Sequence, residues 1–126
     1  MPRPRILIVD DEPGLVRLLT LMLTSLGHYE VRSVTDATQA LEAAVKFKPD
    51  LVLLDWIMPR MGGADVAQQI RADPRICDTR ILFLSAVIVK RDSPGELAGC
   101  PAVAKPIGLR ELVEAIDEQL SAAGGG

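Results

Sequence analysis

The chain has 126 residues, 48% hydrophobic and 25% charged, the size and make-up of one packed domain, which excludes a disordered segment. A formal charge of −3, without a basic patch interleaved with aromatics, argues against direct contact with nucleic acid or an anionic membrane surface. No apolar run could cross a bilayer, and the start Met1-Pro2-Arg3-Pro4-Arg5 lacks a signal-peptide pattern, so a reducing cytoplasmic location is expected.

Residues 6–9 form the first unbroken apolar run, the pattern required of a parallel strand covered on both faces. Leu15, Leu18, Leu19, Met22, Leu23 and Leu26 then repeat at helical spacing until Gly27, with Asp11 as the expected N-cap. A weaker run at 31–34 precedes Asp36, the expected cap of a helix carrying Ala37, Ala40, Leu41, Ala44 and Val45, which ends ahead of Pro49. A third run at 51–54 is followed by Val66, Ala67 and Ile70, closing before Pro74, and a fourth run lies at 81–84. Residues 89–99 contain Pro94 and Gly95, which a regular three-turn helix tolerates poorly, so the fourth helix should be short or irregular. A weak run at 102–104 leads to a last helix with Leu109, Leu112, Val113, Ile116 and Leu120 inward and Glu111, Glu114, Asp117 and Glu118 in water. Residues 1–121 make the domain, and 122–126, ending in three glycines, read as a flexible tail or linker stub. Five alternations of strand and helix imply right-handed βαβ crossovers and a doubly wound sheet.

In such sheets ligands bind beyond the carboxyl ends of the strands. Asp10, Asp11 and Glu12 follow the first run, Asp55 the third, Ser85 the fourth, and Lys105 and Pro106 the fifth. Carboxylates gathered in one crevice repel one another, and a divalent cation relieves the repulsion. Hard oxygen ligands that leave room for water and phosphate favour Mg²⁺. Lys105 offers a point charge, Ser85 a hydroxyl donor, and an Asp carboxylate can serve as a phosphoryl-accepting nucleophile. These parts fit phosphoryl transfer.

The segments Ile6-Leu7-Ile8-Val9-Asp10-Asp11-Glu12-Pro13, Asp55-Trp56-Ile57-Met58-Pro59-Arg60-Met61-Gly62-Gly63, Ser85-Ala86 and Lys105-Pro106 resemble the motif set of response-regulator receiver domains, in order and over nearly the whole chain. The resemblance implies a five-stranded parallel sheet in the order 2-1-3-4-5, a flavodoxin-like α/β fold shared with the chemotaxis regulators. It implies that Asp55 is the phosphoacceptor and that Asp11, Asp55 and the Ile57 carbonyl bind Mg²⁺, with Asp10 acting mainly through water. Lys105 and Ser85 would contact the phosphoryl group, and Pro106 would follow a cis peptide bond. The donor would be a sensor histidine kinase or a histidine phosphotransfer protein, with output through a downstream protein or an attached output domain. Catalysis would be limited to Mg²⁺-dependent self-phosphorylation and autodephosphorylation.

This sequence departs from the family pattern in several places. Ala102 stands where an aromatic is usual, the stretch between Ser85 and Lys105 is slightly short, and Gly62 replaces a common acidic residue. Signalling should then proceed by reordering of residues 87–99. Ile57 and Val87, two positions beyond the acceptor and the serine, cannot orient water, so a long-lived aspartyl phosphate is expected. A receiver-like scaffold that docks a partner without switching is the alternative. A flavoprotein or hydrolase fits poorly, since no Ser/Thr-rich phosphate loop follows the first strand and DDE is not the DxD of aspartyl-nucleophile phosphatases. Ordinary roles suffice elsewhere: His28 in an exposed turn, Trp56 partly exposed, Arg71, Arg75 and Arg80 as a solvated rim, Cys77 and Cys100 as reduced thiols.

Overall fold

A computed structural model describes residues 3–85, 96–97, 100–105 and 108–124. The elements run β1 (Arg5–Val9), α1 (Pro13–Ser25), β2 (Glu30–Val34), α2 (Ala40–Phe47, preceded by a 3-10 turn at Ala37–Gln39), β3 (Leu51–Asp55), α3 (Gly63–Ala72), β4 (Arg80–Ser85), β5 (Glu96–Leu97), β6 (Cys100–Ala104) and α4 (Leu109–Gly124). Five of these strands are parallel, in the order β2-β1-β3-β4-β6. Counting only parallel strands, that is the expected 2-1-3-4-5.

The unbroken apolar runs follow from burial on both faces. Ile6, Ile8, Leu51, Leu53, Leu82 and Leu84 pack with Val16, Leu19 and Leu23 of α1 and Leu112 and Ile116 of α4. Leu7, Val9, Val52, Leu54, Ile81 and Phe83 point the other way, onto Ala40 and Ala44 of α2 and Val66 and Ile70 of α3. Successive strand residues alternate between faces, so every position of a central strand is in a core. Burying each large side chain contributes about 1.5–3 kcal/mol.

Four features differ from the sequence-based expectations. Leu18 of the expected apolar stripe is 53% exposed, and the inward positions are Val16, Leu19 and Leu23. Apolar residues cover so much of α1 that spacing alone does not choose its inner face. Glu12, not Asp11, is the N-cap of α1, because Pro13 fixes the first helical position. Within the span assigned to a fourth helix, Glu96–Leu97 is instead a short strand antiparallel to Cys100 and Pro101, while 86–95 and 98–99 lie outside the described residues. Finally, α4 reaches Gly124, beyond the expected start of the tail, since Ala122 and Ala123 favour helix. Asp36 does cap its turn, accepting a hydrogen bond from the Thr38 amide.

Candidate functional site

The carboxyl ends of β1, β3, β4 and β6 meet at one edge of the sheet. Asp10 is fully buried; its amide donates to the Val34 carbonyl at 3.2 Å, which ties the end of β1 to β2. Its Oδ1 accepts from the Glu12 amide at 3.0 Å, so Asp10 shapes the turn into α1. Asp55 ends β3 and is also buried. Ser85, nearly inaccessible, ends β4, and its carbonyl accepts from the Lys105 amide at 2.7 Å. That bond sets Lys105 beside β4 and turns its ammonium into the acidic cleft.

Lys105 Nζ lies 2.8 Å from Asp10 Oδ2, 3.2 Å from Asp55 Oδ1 and 3.3 Å from Glu12 Oε1. Carboxylate oxygens of Asp10, Asp11 and Asp55 all fall within 4.8 Å of one another. The structure therefore brings together Asp10, Asp11, Asp55 and Lys105, with the backbone of Ser85 alongside. Ile57 follows in the β3–α3 loop with its side chain 63% exposed. Pro106, Val87 and most of the span proposed for reordering lie outside the described residues.

Burial, followed by the charge of Asp10, pushes the Asp55 carboxyl up to about 6; Lys105 partly offsets this, and a hydrogen bond with Asp11 adds to the rise. Burial alone would lower the Lys105 ammonium, but its hydrogen bond to Asp10 and the charges of Asp10 and Asp55 outweigh that and hold it above the ordinary lysine value. Among the described residues, the Lys105 ammonium alone does not balance three close carboxylates. A second cation would, and a donor set made only of carboxylate oxygens fits a hard divalent ion.

Local packing holds the loop after Asp55. The Trp56 amide donates to the Leu84 carbonyl at 3.0 Å, and the Gly63 amide to the Trp56 carbonyl at 2.9 Å. A Cβ at Gly63 would overlap the Asp55 carbonyl oxygen, so only glycine lets α3 start this close to β3. The half-exposed Trp56 packs edge-on against Phe83, ring centroids 5.0 Å apart. Ala102 is buried in register with Phe83.

Three residues have roles that sequence reasoning missed. Glu12 reaches Lys105, hinted at only by being a third consecutive acid. Tyr29 donates its hydroxyl to Asp117 Oδ1 at 2.7 Å, joining the α1–β2 turn to α4. Arg71, expected in a solvated rim, donates to the Thr79 carbonyl at 2.6 Å and the Cys77 carbonyl at 3.1 Å, closing the α3–β4 loop. Arg75 pairs with Asp73, and both cysteines are free thiols. His28 is exposed as expected, and no described helix is long and apolar enough to cross a membrane.

A doubly wound parallel sheet with an acidic cleft at its carboxyl edge, faced by Lys105, defines a small α/β protein of the chemotaxis-regulator type. The family model for the response regulator receiver domain matches residues 6–117, and the chain belongs to that family, which acts in two-component signalling. It is 37% identical over 123 residues to the DNA-binding response regulator MtrA of Mycolicibacterium smegmatis, covering 94% of this chain and 51% of that protein. It is 32% identical over 126 residues to the phosphate regulon transcriptional regulatory protein PhoB of Pseudomonas aeruginosa, covering 96% and 53%. The chain thus spans about half the length of these curated relatives. Among solved structures it resembles the receiver domain of the sensor histidine kinase PA1611 of Pseudomonas aeruginosa, with a magnesium ion coordinated in the active-site cleft. That match has a TM-score of 0.81 at 28% identity, covering 95% of this chain and 99% of the other. A sensor protein from Polaromonas matches with a TM-score of 0.83 at 30% identity, covering 97% and 99%.

Proposed function

We propose that this chain is a phosphorylation-dependent switch that takes a phosphoryl group onto Asp55 from the phosphohistidine of a sensor kinase or phosphotransfer protein. One observation carries the reading: the Asp55 carboxylate lies within 3.2 Å of the Lys105 ammonium and beside Asp10 and Asp11. Asp11, Asp55 and the Ile57 carbonyl would hold Mg²⁺, with Asp10 acting through water, as the magnesium in the PA1611 receiver domain's cleft supports. A bound Mg²⁺ supplies positive charge to the oxygens of a transferring phosphoryl group.

An Asp55 oxygen attacks phosphorus, the P–N bond breaks, and the donor imidazole leaves with the electron pair. Lys105 keeps Asp55 ionised and then neutralises charge on a phosphoryl oxygen. The Ser85 hydroxyl donates to another phosphoryl oxygen. Output passes through protein contacts or an attached output domain. MtrA, described as DNA-binding, supports the second route.

The test is uptake of beryllofluoride or of phosphate from acetyl phosphate in the presence of Mg²⁺. The wild type should load and Asp55→Asn should lose uptake at least about a hundredfold. Equal behaviour of the two proteins would leave only the docking-scaffold reading.

A further inference from the structure

The Lys105 ammonium has three N–H donors, and the resting structure supplies three acceptors: Asp10 Oδ2 at 2.8 Å, Asp55 Oδ1 at 3.2 Å and Glu12 Oε1 at 3.3 Å. A phosphoryl oxygen that is to bind Lys105 must therefore displace one of them. The three are not equally replaceable. Asp10 is fully buried and also holds the Glu12 amide, so moving it would leave a buried charge without its partner. Asp55 is the group to be phosphorylated and stays in place. The Glu12 side chain is 62% exposed and makes the longest of the three contacts. It can rotate into water at little cost, because ion pairs of this exposure contribute little.

The backbone of Glu12 stays fixed while the side chain moves. Its amide is held by Asp10 Oδ1 at 3.0 Å, and its carbonyl accepts from Val16 at 3.0 Å in the first turn of α1. We propose that Glu12 is a positioning residue, a built-in placeholder that occupies one donor of Lys105 in the resting protein and yields it to the incoming phosphoryl oxygen. The proposal rests on the phosphoacceptor reading of Asp55 and adds a competitor that sets how readily phosphate is taken up.

Two substitutions separate contact from charge. Glu12→Ala removes both. Glu12→Asp keeps the charge but is one methylene short of Lys105. Titrating beryllofluoride at saturating Mg²⁺ and fixed pH, read by Trp56 fluorescence, should show both variants binding about three- to tenfold more tightly than wild type. In chelator, the Lys105 ¹⁵Nζ resonance should shift in both variants, and the urea midpoint should stay at the wild-type value. If only Glu12→Ala tightens binding, general charge repulsion is the cause and the placeholder is overturned. Unchanged affinity in both variants overturns it as well, with the Asp55 reading left standing because wild type still loads. A wild type that binds no beryllofluoride removes the Asp55 reading and this proposal together.

Discussion

The two ends of the sheet use the same charged residue types in opposite ways. At the amino end, Arg5, Asp50 and Arg71 are fastened to partners that close the fold. The Arg5 amide donates to Asp50 Oδ2 at 2.8 Å, the Arg5 guanidinium donates to the Phe47 carbonyl at 2.9 Å, and Arg71 binds the carbonyls of Thr79 and Cys77. A broad hollow there, lined by Arg5, Asp50, Thr79 and Leu120, contains no cluster of close carboxylates among the described residues. At the carboxyl end, Asp10, Asp11 and Asp55 crowd together, and among the described residues Lys105 answers them. Fixed pairs hold the loops, whereas the crowded carboxylates fit a hard divalent cation and, on the proposed function, a phosphoryl group. The proposed function therefore sits where like charges crowd together.

That contrast can be broken by substitution. The largest effect on stability is expected at Gly63: Gly63→Ala forces a Cβ against the Asp55 carbonyl and should cost about 2 kcal/mol in a urea titration, with phosphoryl uptake impaired as the acceptor loop shifts. Arg71→Ala should cost about 1.5 kcal/mol, since two carbonyls lose a charged donor, yet leave beryllofluoride affinity at the wild-type value. Loss of uptake in that variant would mean that the two ends are coupled.

The smallest effect has a sign opposite to the other two. The Asp55 carboxyl is raised to about 6 in the fold, so the native state holds a proton that the unfolded chain has already released. Its contribution is fully present below the unfolded pKa of about 4 and is lost as pH rises through 6. In chelator, Asp55→Asn should therefore be more stable than wild type at pH 7, by about 1 kcal/mol or about 4 °C in Tm, with the gap closing toward pH 4. A gap that is the same at pH 4 and pH 7 would show that ionisation of Asp55 does not destabilise the metal-free cleft.

The acidic cleft was legible because strand ends announce themselves. An apolar run that stops at Asp10, Asp55, Ser85 or Lys105 puts each of these residues at the same edge of a parallel sheet, however far apart they lie in the chain. The inner face of α1 was not legible, because leucines ring the helix and tertiary packing made the choice. Nor were the Tyr29–Asp117 bond and the Arg71 clasp on its loop carbonyls, as a single hydroxyl or guanidinium has no periodicity to betray its partner. Within the span expected to hold a short or irregular helix, the two-residue strand Glu96–Leu97 pairs back on β6, which depends on a neighbour that local composition does not name.

The short strand β5 also gives the sheet unequal margins. Beside β6, Glu96–Leu97 covers the start of the outer edge, and Pro101 has no amide to offer a further strand. At the other margin β2, paired with β1 on its inner side, has no strand on its outer side among the described residues, and it displays Glu30, Arg32 and Ser33 to solvent. One border is shielded by the chain's own hairpin and the other by charge, two different defences against edge-to-edge aggregation in a single small sheet.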